Sequence, residues 1–283
     1  MTKAVLYVVA TPIGNLDDWS LRAQATLRQV ALIAAEDTRH SLRLLQHFGI
    51  DTRLVPLHEH NEQGRVDVLL GELEAGRDIA LISDAGTPLI SDPGYRLVAA
   101  AQAGGYTVVP VPGACAAIAA LSAAGLASDR FIFEGFLPAK AGARQQRLSE
   151  LAAETRTLIF YEAPHRIAEC LDDMTLVFGA ERRAVLAREL TKTFETIRQL
   201  PVAELAAWVH ADSNQQRGEI VLVIEGAPDV VGDAAQREAE RILTVLLKEL
   251  PVKQAAALTA EITGLKKNGL YERALEMKKQ QEA

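Results

Sequence analysis

The amino-acid sequence predicts an α/β protein: two α/β domains followed by a small helical segment. Short apolar runs recur along the chain, each ending in a loop rich in Gly, Pro, Ser, Thr or charge and then a helical pattern, the alternation that builds parallel sheets. No two-residue hairpin separates the runs of the first half. A length of 283 residues exceeds what one core commonly serves, so two domains are expected.

Ala4–Val9 reads as the first strand and is broken by Thr11-Pro12-Ile13-Gly14-Asn15-Leu16. Ser20 starts a helix with Leu21, Ala25, Leu27 and Leu32 near one face. The strand Ala31–Ala35 empties into Glu36-Asp37-Thr38-Arg39-His40, a knot of ionisable groups. Asp37 or Thr38 there serves either chemistry or the cap of a helix over Ser41–Phe48. A short strand around Arg53–Val55 leads to Pro56-Leu57-His58-Glu59-His60-Asn61 and a helix over Glu62–Ala75. The central run Ile79–Ile82 opens into Ser83-Asp84-Ala85-Gly86-Thr87-Pro88 and on to Gly94. There Gly86 lets the main chain come close, Thr87 offers a hydroxyl, Pro88 stiffens the loop, and Asp84 and Asp92 put carboxylates at the rim of a small-molecule site. The plain alternative caps the next helix with Asp92 and starts it at Pro93. Strand Tyr106–Val111 and the small-residue helix Ala114–Ala124 follow, so residues 1–112 make a parallel, doubly wound sheet. Its loops Thr11–Asn15, Glu36–His40, Ser83–Pro88 and Pro112–Ala116 all follow strands and therefore share the carboxyl edge, where such sheets bind ligands.

The second half alternates less evenly, which leaves a mixed sheet open. It begins near Phe131–Pro138, and strands are expected at Thr157–Tyr161, Ala184–Ala187 and Glu219–Glu225. Lys140, Arg144 and Arg147 form a polar helix start, and Glu162-Ala163-Pro164-His165-Arg166 opens a helix with proline at its first position. The expected domains are 1–115 and 116–227, joined around 113–128, with a helical tail over 234–283. Helices Ala234–Leu250, Lys253–Thr263 and Asn268–Lys279 of that tail suit a helix-turn-helix or, equally, a helical hairpin packed on the body.

Composition narrows the function. A net charge of −7 argues against a generic nucleic-acid coat, although Lys248–Lys279 carries seven Lys or Arg against four Asp or Glu. No apolar run approaches the roughly 20 residues of a membrane span, and the opening residues lack a signal-peptide plan, so a cytoplasmic protein is expected. Cys115 and Cys170 are isolated within apolar helical patterns and read as structural. His58-Glu59-His60 lacks a further ligand pair, so no metal is expected. Phosphate-loop, dinucleotide and G-x-S-x-G signatures are missing from the sequence. What remains is a pocket edged by Gly, Pro and small residues with few positive charges, better suited to a sulfonium cofactor carrying adenosine than to a polyphosphate.

The motifs V-A-T-P-I-G-N-L (Val9–Leu16), A-A-E-D-T-R-H (Ala34–His40), H-N-E (His60–Glu62), S-D-A-G-T-P-L-I-S-D-P-G (Ser83–Gly94), V-P-G (Val111–Gly113), E-G-F-L-P (Glu134–Pro138) and A-R-E-L-T-K (Ala187–Lys192) span nearly the whole chain. In this the chain resembles the small-subunit ribosomal RNA methyltransferase branch of the tetrapyrrole methylase superfamily. The resemblance implies two α/β domains of the tetrapyrrole methylase type with a cofactor cleft between them, S-adenosyl-L-methionine in that cleft and a homodimer. It also implies 2′-O-methylation of a cytidine in small-subunit (16S) rRNA at the decoding centre. The acidic body favours an assembled 30S particle over naked RNA as acceptor. Thr11–Asn15 departs from the glycine-rich loop of the tetrapyrrole enzymes, which counts against a macrocycle substrate.

By resemblance, Asp84, Gly86, Thr87, Pro88, Ala114, Cys115 and Ala116 are expected on the cofactor side, with Ala163, Pro164, His165, Leu190 and Gly218 completing that pocket. Glu36, Asp37, Arg39, Arg188, Glu189 and Lys192 are the expected catalytic group, with Glu36 or Asp37 as base if burial raises its pKa and Lys192 steadying the developing alkoxide. Thr11, Pro12, Asn15, His60, Asn61, Lys140, Lys266 and Lys267 are expected to contact the RNA. Two rivals stay open: a small-molecule methyltransferase of the tetrapyrrole or diphthine type, and a non-enzymatic regulator binding nucleic acid through the 253–279 helices.

Overall fold

The structure, a computed structural model, describes residues 4–58, 62–228 and 233–281. Strands β1 (Val5–Val9), β2 (Leu32–Ala35), β3 (Leu54–Pro56), β4 (Ile79–Ile82) and β5 (Thr107–Val111) pair in the order β3-β2-β4-β1-β5. Each pairing is parallel, with Tyr7 between Ala80 and Val109. Alternate residues feed two cores. Leu6, Leu32, Ala34 and Leu81 pack with α3 (Glu62–Glu74) and α4 (Tyr95–Ala103). Ile33, Ala35, Ala80 and Ile82 pack with α1 (Leu21–Gln29) and α2 (Thr38–His47). A parallel sheet covered on both faces needs such unbroken apolar strands, and each fully buried Leu or Ile contributes about 1.5–3 kcal/mol.

Local chemistry sets where the helices start. The Ser20 hydroxyl accepts from Ala23 N at 3.1 Å and caps α1. Asp37 accepts from Arg39 N at 2.8 Å and His40 N at 3.4 Å, so α2 begins at Thr38 rather than Ser41. Asp92 and Pro93 do not open α4. The helix starts at Tyr95 behind Gly94, whose φ of 124° suits glycine and whose Cβ, if present, would lie 2.6 Å from Leu81 Cδ2. Asp92 is therefore left off the helix.

The second sheet is mixed. Strands β6 (Phe131–Phe136), β7 (Thr157–Glu162), β8 (Arg183–Arg188), β9 (Thr196–Pro201) and β10 (Ile220–Ile224) run in the order β6-β7-β10-β8-β9, with β6 and β7 parallel and the other pairings antiparallel. One face is covered by α6 (Ala141–Leu151), α7 (Ile167–Phe178) and α8 (Val202–Ala211). The other packs against α5 (Ala116–Ala123), and Ile13 from the loop after β1 joins that same cluster. Pro164 does not open α7, which begins three residues later. Arg144, read as part of a polar helix start, is buried, with Nε donating to Asp173 Oδ2 at 2.6 Å. Strand β9 and helix α8 were not expected.

Both sheets belong to one compact unit, Met1–Ala227; Pro228–Ala283 forms a second. In the second unit α9 (Asp233–Leu246), α10 (Val252–Thr263) and α11 (Lys267–Gln281) enclose Leu243, Ala255, Ala256, Leu270 and Ala274. Gly264 ends α10 with φ 73° in the left-handed region. Among the described residues no helix is long and apolar enough to cross a membrane.

Candidate functional site

A cleft of about 370 Å³ lies between the two sheets' loops, a size suited to a nucleoside-bearing small molecule. The first wall is Ile13 with Ala85, Gly86, Thr87, Ile90, Ser91 and Asp92; Cys115 and Ala116 lead into α5 at its end. Phe136, Tyr161, Glu162, Ala163, Pro164, Leu190 and the run Gly218–Val221 form the second. Among the described lining residues there is no lysine, arginine or histidine, so the cleft lacks the charges that hold a polyphosphate.

Main-chain hydrogen bonds shape the first wall. Thr11 and Gly86 exchange N–H···O bonds at 2.9 and 3.1 Å, buckling the loop after β1 to the loop after β4. The buried Thr11 hydroxyl donates to Ser83 O at 3.2 Å, and Thr87 Oγ1 donates to Ala114 O at 2.9 Å. Gly86 at φ 87°, Leu89 at 73° and Ser91 at 70° hold the loop in the left-handed region, a strain that for the non-glycines must be offset by these fixed ends. Asp84 accepts from Asp37 N at 3.0 Å and so ties this wall to the loop after β2.

Charge shapes the second wall. The Glu162 carboxylate, buried, accepts from Ala163 N at 2.7 Å and pairs with Arg166 at 3.2 Å; Arg166 Nη2 in turn donates to Leu137 O at 2.7 Å. Lys192 Nζ donates to Glu189 Oε1 at 2.8 Å and Glu219 Oε2 at 2.9 Å, while Glu219 N donates to Glu189 Oε1 at 3.0 Å. Burial pulls the Glu189 pKa up, but Lys192 and Glu219 N outweigh it and the net shift is downward. Burial likewise pulls Lys192 down, and its two carboxylates outweigh it and raise it. Gly218, at φ 77°, has no room for a Cβ because the Glu189 carboxyl occupies that space.

The family model for Tetrapyrrole (Corrin/Porphyrin) Methylases matches residues 5–206, and that for the RsmI C-terminal HTH domain matches residues 233–278. A Pseudomonas aeruginosa protein named ribosomal RNA small subunit methyltransferase I is 65% identical over 277 residues, covering 98% of each chain. Its namesake from Escherichia coli O157:H7 is 58% identical over 275 residues, covering 97% of this chain and 96% of its own. The chain belongs to the ribosomal RNA small subunit methyltransferase I family of tetrapyrrole methylases. It is a methyltransferase. In fold it is similar to the crystal structures of the methyltransferase CobJ (TM-score 0.60, 20% identity, 79% of this chain and 95% of that one) and of uroporphyrin-III-C-methyltransferase from Thermus thermophilus (0.56, 19%, 81% and 98%).

For this member of the methyltransferase I family, the structure brings Gly86, Thr87, Cys115, Ala116, Ala163, Pro164, Leu190 and Gly218 together around the cleft. Asp84, Pro88 and Ala114 are not among the residues that line it, and neither is His165, which is exposed. Asp37 fails the condition set for a base: the Arg39 N–H above all, with His40 N–H, holds its carboxyl below the usual range. Glu36, partly buried, and Arg39, exposed, lie outside the cleft lining. Lys192 is occupied by two carboxylates, and Arg188 is buried with Gln215, Phe194 O and Thr196. Thr11 and Pro12 are buried, while Asn15 is exposed and donates its N–H to Thr191 Oγ1 at 3.0 Å. Lys140 is exposed before α6. Lys266 and Lys267, also exposed, stand at the turn into α11 of the second unit. His60 and Asn61 lie outside the described residues. Asp92 lines the cleft, as its place among the rim carboxylates of the Ser83–Gly94 turn suggested. Sequence reasoning did not assign Tyr161, Glu162 and Glu219 to the site; the local signal was that each sits at a strand end or beside a glycine. Among the described residues no group of three His, Cys, Asp or Glu is arranged to hold a metal.

Proposed function

We propose that the chain transfers the methyl group of S-adenosylmethionine to the ribose 2′-hydroxyl of a cytidine in small-subunit ribosomal RNA, at the decoding centre, within an assembled 30S particle in the cytoplasm. The observation that carries this reading is a cleft with no cation among its described lining residues, lined by the motif residues of a chain 65% identical to a protein bearing the name of a small-subunit rRNA methyltransferase. The donor fits what lines the cleft. Ile13, Ile90, Ala116 and Leu190 offer apolar surface to an adenine, the left-handed turn at Gly86 lets main chain approach closely, and Asp92 and Glu162 give negative potential suited to a sulfonium.

Bound there, the donor supplies an electrophilic methyl whose transfer relieves the sulfur's positive charge. The protein's part is alignment: holding donor and hydroxyl at near-attack distance supplies a large share of the acceleration. Thr11, Thr87 and Asp84 fix the first wall, and Glu162–Arg166 and Glu189–Lys192–Glu219 fix the second. Asp84, through Asp37 N, links the donor wall to the Glu36–His40 loop on the acceptor side. The second unit, with Lys266 and Lys267 at its turn, adds phosphate contacts to an otherwise acidic chain.

Purified protein given methyl-labelled S-adenosylmethionine with 30S subunits, naked 16S rRNA or a corrinoid precursor tests the reading. Label in 2′-O-methylcytidine from the 30S subunits supports it; label only in the corrinoid, or in none, overturns it. Equal labelling of naked rRNA overturns the particle as the preferred acceptor. The chain acts as a homodimer, which sedimentation equilibrium checks: a monomer at micromolar concentration would remove that element.

A further inference from the structure

Among the described residues three carboxylates line the cleft: Asp92, Glu162 and Glu219. Glu162 is answered by Arg166 at 3.2 Å and Glu219 by Lys192 at 2.9 Å. Asp92 differs. Its neighbours on the loop after β4 are the Ser83 hydroxyl, which hydrogen-bonds it, and a second carboxylate, Asp84. The phenol of Tyr161 on β7 is within electrostatic reach, and Cys115 before α5 lies on the same cleft lining. Among the described residues no lysine, arginine or histidine lines the cleft beside it.

We propose that Asp92 is the carboxylate that takes the proton from the attacking ribose hydroxyl as the methyl group transfers. This rests on the functional reading above. The hydroxyl oxygen forms the new bond to the methyl carbon, the carbon–sulfur bond breaks with its electron pair going to sulfur, and the sulfur leaves neutral. The hydroxyl proton passes to an Asp92 Oδ, and the carboxylic acid returns it to water once the product has left. Geometry favours Asp92 because it faces the donor cleft while its neighbour Asp84 holds the acceptor-side loop through Asp37 N at 3.0 Å. Burial first, and then Asp84, push the Asp92 carboxyl up to about 6 against the opposing Ser83 bond. It is thus ionised at neutral pH yet more basic than an ordinary aspartate. Tyr161 does not compete: burial above all raises its phenol, and its oxygen accepts from Ala117 N at 3.2 Å.

Single-turnover transfer to 30S subunits, measured between about pH 5 and pH 9, tests this in the wild type, Asp92→Asn and Asp92→Glu. The wild-type rate is expected to rise about tenfold per pH unit up to about pH 6 and then level off. Asp92→Asn should lower the plateau about 100-fold or more and lose the pH-dependent limb, while still binding S-adenosylhomocysteine by calorimetry. Asp92→Glu should keep the limb at a reduced plateau. A second readout needs no ligand. Because the folded carboxyl is raised from 3.8 to about 6, the stability it permits is full below the lower value and is lost as pH rises through the upper one. Asp92→Asn should therefore melt above the wild type at about pH 8, with the gap closing towards about pH 4. Equal plateaus in wild type and Asp92→Asn, a limb that survives in Asp92→Asn, or a wild-type profile flat across the range each overturn the role of Asp92. Wild-type protein that methylates no RNA overturns the functional reading itself.

Discussion

On the first wall of the cleft the chain is held by bonds to its own backbone: the Thr11 and Gly86 main chains paired, the Thr87 hydroxyl bonded to Ala114 O, and left-handed turns at Gly86, Leu89 and Ser91. Across from it the second wall hangs on charge, with Glu162 on Arg166 and with Glu189 and Glu219 on Lys192. The first arrangement leaves one carboxylate, Asp92, with no cation beside it among the described residues of the lining; the second neutralises the carboxylates it brings in. A wall held by bonds to neutral main-chain groups is free to present a charge to a ligand, whereas a wall built from ion pairs consumes its charges in holding its shape.

Substitutions that break the second wall should therefore cost most. In Glu162→Gln the largely buried Arg166 loses its counter-charge while Ala163 N keeps an acceptor, and the expected loss is about 3 kcal/mol in chemical denaturation. A midpoint within experimental error of wild type would show that Leu137 O and Pro138 O suffice to hold Arg166. Gly218→Ala comes next. The added Cβ meets the Glu189 carboxyl, and φ 77° alone costs about 1–2 kcal/mol for a residue with a Cβ. Displacing Gly218 also moves part of the cleft lining, so methyl transfer should fall about 100-fold, with the KM for S-adenosylmethionine rising more than kcat falls. Activity near wild type would mean that Glu189 swings aside without disturbing the wall.

Lys192→Met probes the same wall with a smaller and pH-dependent effect. Its pair is partly exposed, so about 1 kcal/mol is expected near neutral pH. Glu189 is lowered from 4.5 in the folded protein, so its share is present above that value and lost as pH falls. Lys192 is raised from 10.5, so its share is present below that value and lost as pH rises through the folded pKa. Thermal melts of wild type and variant should thus differ most between these limits and converge on either side. A difference that grows towards acid would refute the pairing.

The two lobes also differ in how legible they were. In the first, each buried strand is an unbroken apolar run, and the glycine- and proline-bearing loops that follow mark the carboxyl edge without further information. In the second, Thr-Ile-Arg-Gln-Leu-Pro of β9 is an edge strand with Arg198 and Gln199 exposed, so it lacks the apolar run that announces a strand. Strand direction, too, is set by partners far along the chain. The site shows the same divide. Gly86, Thr87 and Gly218 stood out because backbone conformation is a local property written in glycine and its neighbours. That Glu162 is paired while Asp92 is not depends on Arg166 and on the lack of a lysine, arginine or histidine among the described residues of the cleft lining. Between a rim carboxylate and a helix cap, Asp92 was decided only when Gly94 proved to occupy the cap. Asp37 went the opposite way, with its cap to Arg39 and His40 written within three residues.

The smallest effect expected is on the first wall, and it is the sharpest test of the contrast. Thr11→Val removes a buried hydroxyl that donates to Ser83 O at 3.2 Å and Gly86 O at 3.4 Å but leaves the Thr11–Gly86 main-chain bridge intact. If backbone holds this wall, stability should fall by about 1 kcal/mol, the usual net worth of a side-chain hydrogen bond, and the loss should be the same at high and low salt. Donor affinity by calorimetry should stay within about threefold of wild type, since Gly86 and Thr87 keep their places. A loss that changes with salt, or a donor affinity lowered beyond that, would show that the hydroxyl rather than the backbone sets the wall, and the distinction between a main-chain wall and a charge wall would fail at its first contact.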